Sequence, residues 1–267
     1  MKIILLLNND IASNFALNLL LPSLAAHQVQ VFLSSKVGGN SARPQALQEL
    51  ALFEQTGIYQ ALAQSKTASA FKTYADIRQQ YPIAIDTLND INSRAGIAKI
   101  KAAAADLIIS IRYGVILKPP VIALAKHGVI NLHSGQLPAY RGVMATFWAL
   151  LNGEKKLATS LHFIDDNSID TGDIIGYSSL AVQQGHCYLW HVLSLYIGGC
   201  QLLSKAITGI ASGKALSTTK QASQGQYYSF PDAEQVNRFI RQCGALYEPQ
   251  ALIKLLTEHH DNEQISR

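Results

Sequence analysis

The chain has 267 residues, enough for one large domain or for one domain with a small module attached. Hydrophobic residues make up 48% and charged residues 15%, which excludes general disorder and points to more buried structure than average or to a subunit interface. The formal net charge is only +4, and no dense basic block exists to track a phosphate backbone, so nucleic acid is not an expected partner.

Cys187, Cys200 and Cys243 lie far apart with no Cys-x-x-Cys pair. That pattern suits a reducing compartment and argues against a disulfide scaffold or a zinc module. The apolar opening stops at Asn8, Asn9 and Asp10, too short for a secretory signal, so a buried first strand is expected. No stretch approaches the ~20 apolar residues of a membrane span. A cytoplasmic protein with no membrane partner is the expectation.

In chain order, residues 2–7 (KIILLL) read as a strand, residues up to about Leu24 as a helix, and residues 29–35 as a second strand. This is a βαβ opening, and unbroken apolar strands belong to parallel sheets covered on both faces. Lys36 to Pro82 is too long for one crossover. Helical spacing runs through it from Ala46 to Leu62 and from Ala70 to Tyr81. A short strand at 83–85, a helix over 91–104 and a buried strand over 106–111 follow. A helix is able to begin at Pro119-Pro120. Val129–His133 (VINLH) is a strand, and residues 143–151 a helix ended by Asn152-Gly153. Residues 159–164 and 174–182 make a strand pair, the first alternating in polarity at Ser160 and His162, as a partly exposed strand would. Surface exposure is therefore expected for His162. A long apolar helix covers 186–211, and the sequence leaves open whether it is core or part of a homodimer interface. The composition then turns polar, with one short helix opening near Asp232 and a frayed last eight residues. The fold class is α/β, an open, mostly parallel Rossmann-like sheet with helices on both faces. The catalytic domain is assigned to 1–213 and a C-terminal extension to 214–267.

The stretch VINLHSGQLPAYRG (129–142) carries the most chemistry. Asn131 and His133 are two residues apart on a strand, so they face the same side. In open α/β sheets that side opens into the crevice beyond the strand ends. An amide is able to hydrogen-bond a developing oxyanion, and an imidazole to move a proton near neutral pH. Asp170, in the loop DDNSIDTGD, sits before a tight Thr171-Gly172 turn and would fix and charge the imidazole. Tyr227, Tyr228 and Phe230 either dock the tail or line an acceptor site. LNNDIASN, after the first strand, has no glycine, which makes a phosphate cradle there doubtful.

NLHSGQLPAYRG, then WALLNGE, then IDTGDII resembles the folate-dependent formyltransferases, over about residues 104–182. Asn131, His133 and Asp170 stand at the three catalytic positions of that family, and Leu137, Pro138 and Gly142 match its loop. Ser134 and Gly135 depart from its usual Pro-Ser. The resemblance implies an N-formyltransferase with N10-formyltetrahydrofolate as formyl donor and no metal. It places the pterin against Tyr113, Gly114, Val115, Ile116 and Leu117, and against Asp165, Asp166, Asn167 and Ser168. A loop at 36–44 holding just Lys36 and Arg43, and a short tail after Gly213, argue against a tRNA acceptor. By elimination the reading favours a small-molecule amine, first of all an amino group on a nucleotide-activated sugar. The alternatives are an enzyme like methionyl-tRNA formyltransferase, or a non-catalytic folate-binding module.

Overall fold

The computed structural model describes residues 1–35, 43–65, 70–222 and 225–261. The opening is β1 (Lys2–Asn8), α1 (Ile11–Leu24) and β2 (Gln28–Ser34). The helical spacing of the next segment resolves into α2 (Gln45–Leu52), a π turn (Phe53–Gly57) and α3 (Ile58–Gln64), followed by α4 (Tyr74–Gln80). α4 begins later than its spacing suggests because Thr73 and Asp76 form a capping box that fixes its first turn. The same reason applies to α5, where Ser93 accepts from Gly96 N–H and caps the helix.

The chain continues through β3 (Ala84–Thr87), α5 (Arg94–Ala103), β4 (Leu107–Ile111), α6 (Pro119–Ile122) and β5 (Val129–His133). After these come β6 (Arg141–Gly142), α7 (Ala145–Leu151), β7 (Lys156–Phe163), β8 (Ile174–Ala181) and α8 (Tyr188–Ala211). The C-terminal part holds β9 (Tyr227–Tyr228), α9 (Ala233–Cys243) and α10 (Pro249–Asp261). The sequence reading has no counterpart to α10. The fraying expected of the last eight residues falls mainly on 262–267, outside the described residues.

The seven-stranded sheet has the order β3-β2-β1-β4-β5-β7-β8. Its strands are parallel from β3 through β5, and β7 and β8 are antiparallel. The order reverses at β1, so the carboxyl ends of β1 and β4 flank a crevice. Two apolar layers cover the sheet. Ile3, Leu5 and Leu7 face one layer with α1 and α8, while Ile4, Leu6 and Val129 face the other with Ile100 and Val121. This two-sided burial explains the unbroken apolar runs.

The apolar girth of α8 is spent within the chain. It packs on α1, β7, β8 and α10, with Leu193, Tyr196 and Leu203 fully buried. The C-terminal part is tied to the same core. Phe239 of α9 is fully buried and stacks on Phe147 of α7 at 4.4 Å between ring centres. Among the described residues no helix is long and apolar enough to cross a membrane. Phe239→Ala should lower the unfolding free energy by about 3–5 kcal/mol in urea titrations. A loss below about 1 kcal/mol would mean that α9 is not part of the cooperative core.

Candidate active site

The site is built at the carboxyl ends of β1, β4 and β5. Asn131 and His133 project from β5, and the antiparallel register sets Asn131 opposite His162 and His133 opposite Ser160. The Asn131 amide is 3.1 Å from His162 Nε2, and His162 Nδ1–H donates to the Phe163 carbonyl at 2.8 Å. His162 Nε2 is thus turned toward both the Asn131 amide and Asp170. The expectation of a surface His162 is overturned, since it is 1% exposed. The alternating polarity of β7 marks a strand whose polar side faces the crevice and whose whole length is covered.

Asp170 completes the group. One carboxylate oxygen lies 3.6 Å from His133 Nδ1 and the other 3.5 Å from His162 Nε2. The first also accepts from Gly142 N–H at 2.9 Å. His133 Nε2–H donates to the Tyr140 carbonyl at 2.7 Å, which orients the ring. Burial pushes the Asp170 carboxyl up, but the charges of His133 and His162, with hydrogen bonds from His162 and Gly142, outweigh it and hold it at about 2. Asp170 has a left-handed backbone, φ +55°, so the turn before Thr171 places this carboxylate through a conformation few side chains adopt.

The loop between His133 and Gly142 is held from behind. Ser160 donates to the Gly135 carbonyl at 2.7 Å, and Leu137 N–H donates to Ser160 at 3.0 Å. A Cβ at Gly135 would stand 2.8 Å from His133 Nε2 and 2.5 Å from Ala145, so the glycine gives the imidazole its room. The loop is also strapped from the front by residues 219–222 and 225–229. β6 pairs with β9, and Gln221 donates to the carbonyls of Asp170 and Gly172 at 3.0 and 2.7 Å. Tyr228 stacks on Tyr140 and Trp148, and Trp148 donates to the Ser229 carbonyl. The tail aromatics divide the two roles the sequence left open: Tyr228 docks the strap, while Tyr227 and Phe230 line the cavity.

A cavity of about 790 Å³ opens over these groups. One wing is walled by Tyr113, Gly114, Val115, Ile116 and Leu117, with Asp166 and Ser168 from the other loop. Asp165 instead lines a smaller pocket behind that loop, and Asn167 lines neither. Ile116 is 54% exposed at the rim, an apolar ledge that a flat ring would cover.

The other wing holds a cluster that sequence reasoning missed. Arg112 donates to Asp10 at 2.8 Å and to Glu54 at 2.9 Å, all three deeply placed. Asp10 also caps α1, accepting from Ser13 N–H at 2.8 Å, so a carboxylate of the chain itself occupies that helix N-terminus. Burial works against the Asp10 charge, but Arg112, Asn8 and Ser13 hold its carboxyl below the usual range. Glu54, in the π turn, goes the other way. Desolvation, with the like charge of Asp10, outweighs Arg112 and raises it to about 7. Local sequence carries no signal for this cluster, because its members are 44 and 58 residues apart or more.

The open α/β fold brings an amide, two imidazoles and a carboxylate together beside a ligand-sized cavity, a set of groups suited to acyl transfer. Residues 26–187 match the formyl transferase family model, and the chain belongs to that family. It is 31% identical over 131 residues to the methionyl-tRNA formyltransferase of Synechococcus sp. (strain JA-3-3Ab), covering 49% of this chain and 40% of the relative. It is 33% identical over 141 residues to that of Clostridium beijerinckii, covering 53% and 45%. The matched region thus spans under half the length of these curated relatives. Among solved structures, a 4-N formyltransferase from Francisella tularensis aligns over 96% of this chain and 87% of its own, with a TM-score of 0.54 and 18% identity. A sugar 3N-formyltransferase solved in the presence of dTDP and 5-N-formyltetrahydrofolate aligns over 86% and 69%, with a TM-score of 0.55 and 20% identity. A glycinamide ribonucleotide transformylase from Symbiobacterium toebii aligns over 83% and 95%, with a TM-score of 0.57 and 17% identity. At these identities the likeness is one of fold.

Two outcomes are expected from this geometry. Gly142 has φ +94° and an added Cβ would fall 2.1 Å from the Tyr228 carbonyl, so Gly142→Ala should separate the strap from the loop and release Asp170. A fall in stability of about 1–3 kcal/mol together with loss of ligand binding is expected, read by urea unfolding and calorimetry. Glu54 binds its proton more tightly folded than unfolded. Its stabilising share is therefore full below about pH 4.5 and lost as the pH rises through about 7. Unfolding free energies measured across that window should fall in the native chain, and Glu54→Gln should flatten the slope.

Proposed function

We propose that this chain is an N-formyltransferase that moves a formyl group from N10-formyltetrahydrofolate to a small amine. The observation that carries this reading is the meeting of Asn131, His133 and Asp170 from two separated stretches, His133 3.6 Å from Asp170, on the floor of one cavity. Family membership supports it, as does the 5-N-formyltetrahydrofolate named for one protein of similar fold. The ledge of Val115, Ile116 and Leu117, with Asp166 and Ser168 opposite, fits a flat pterin with polar edges. When bound, the folate supplies an activated one-carbon acyl group.

The residues of the chain then have distinct tasks. Asn131, whose amide keeps one N–H beyond its contact with His162, stabilises negative charge developing on the formyl oxygen as the amine attacks, and His133 joins it when its ring lets go of the Tyr140 carbonyl. Asp170 fixes the orientation of the His133 and His162 rings. Held at about 2, it is too weak a base to keep the proton given up by the amine, which leaves through water beside the group. His162 holds the Asn131 amide in place through its Nε2. The loop after His133 and the strap exclude water from one side of the group.

For the acceptor, we favour the amino group of a nucleotide-linked sugar. Two proteins of similar fold are named with dTDP or with dTDP-3-aminofucose, and they are 20% and 18% identical to this chain. The second reading is a tRNA-borne methionine, favoured by the curated sequence relatives. Formyl transfer from N10-formyltetrahydrofolate to a panel of nucleotide-linked amino sugars, free amines and methionyl-tRNA distinguishes the two. Transfer to an amino sugar is expected. Transfer to methionyl-tRNA alone would replace this acceptor, and transfer to none would remove the enzyme reading. Asn131→Ala should lower kcat by about 10²–10³-fold, or about 3–4 kcal/mol, with little change in folate affinity.

A further inference from the structure

The wing of the cavity beyond Ser134 holds a buried polar group that nothing in the chain satisfies. Tyr196 of α8 is fully buried and lines the cavity, and its hydroxyl makes no hydrogen bond. Ser134, at the end of β5, and Arg112 lie beside it, with Ser134 outside hydrogen-bonding geometry. An unpaired buried hydroxyl is costly, so a group that persists in this state beside an open cavity is suited to a ligand. Tyr196 therefore bridges the catalytic floor and the Asp10–Arg112–Glu54 cluster. Burial pushes its hydroxyl up to about 12, so it is a neutral donor at physiological pH.

The charges of the wing narrow the ligand. Arg112 is engaged by two carboxylates, and the N-terminus of α1 is filled by Asp10. A phosphate placed there would meet Asp10 and Glu54 before any open N–H. Among the described residues lining the whole cavity, His133 and His162 are taken up by Asp170, and the carboxylates of Asp10, Glu54 and Asp166 outnumber the guanidinium groups of Arg43 and Arg112. This balance favours a ligand part that is neutral or cationic and carries donors for carboxylates and acceptors for a tyrosine hydroxyl.

We infer that this wing is the acceptor subsite, where Tyr196 and Glu54 select a hydroxylated, amine-bearing ring by direct hydrogen bonds and any phosphate of the acceptor stays outside it. The inference rests on the formyl-transfer reading and adds the residues and the chemistry of acceptor choice. Asp10 and Arg112 are positioning residues, since they hold Glu54 toward the cavity without needing to touch the ligand.

The test uses the full chain and Tyr196→Phe, which removes one oxygen and preserves the ring. The probes are dTDP- and UDP-linked amino sugars, glucosamine, glucosamine 6-phosphate and putrescine. The acceptor KM should rise about tenfold, while affinity for 5-formyltetrahydrofolate stays the same and the Tm stays equal or rises. A purely structural tyrosine would instead lower the Tm and leave KM unchanged. Glu54→Gln, the second variant, should raise the acceptor KM by a similar factor. An unchanged KM in both variants, or a tenfold preference of the native chain for glucosamine 6-phosphate over glucosamine, overturns the assignment. Thermal shifts with the probes in the presence of 5-formyltetrahydrofolate separate the two readings. If no amine raises the Tm, the subsite assignment falls. If folate and an amine both bind and nothing is transferred, the formyl-transfer reading falls while the binding comparison of Tyr196→Phe with the native chain still decides the subsite.

Discussion

One buried carboxylate organises the site. Asp170 sits between two imidazoles and one backbone N–H, and each partner comes from a different part of the chain. A carboxylate removed from water is costly unless every oxygen is matched, and the matching here makes the ionised form the stable one. The arrangement works in both directions. The imidazoles keep Asp170 charged, and the charge holds both rings where the Asn131 amide is able to act with them. The strap and the loop around Gly135 serve this carboxylate by fixing the segments that carry its partners.

The sheet makes that meeting possible. Parallel β1, β4 and β5 end together, so groups 100 residues apart in sequence face one crevice. The antiparallel β7 beside β5 then supplies His162 directly across from Asn131, on the side away from Ser110 of the parallel β4. The cavity is left with two chemically distinct wings, an apolar ledge around Ile116 and a polar recess around Arg112.

Much of the architecture was legible because apolar runs mark doubly covered strands. The KIILLL, DLIISI and VINLH segments all lie in the sheet. Asn131, His133 and Asp170 were legible as well, since strand alternation and a tight turn constrain where they point. Patterns with two physical causes misled. The alternation at Ser160 and His162 looks the same whether the polar side meets solvent or a crevice, and only the partner strand decides. Buried ion clusters such as Asp10–Arg112–Glu54 leave no trace in local spacing, because the pairing energy depends on tertiary distance. α10 was invisible for a related reason: its buried Leu252 and Leu256 are few, and its neighbours in the sequence are polar.

The pairing of β6 with β9 also sets an order of events. Residues 141 and 142 leave the ribosome well before their partners at 227 and 228, yet they cannot take their final place until those arrive. For the interval between, the nascent chain carries Asn131, His133 and Asp170 around a loop whose front brace is missing. The site as described is therefore completed late, once the C-terminal part of the chain has taken its place.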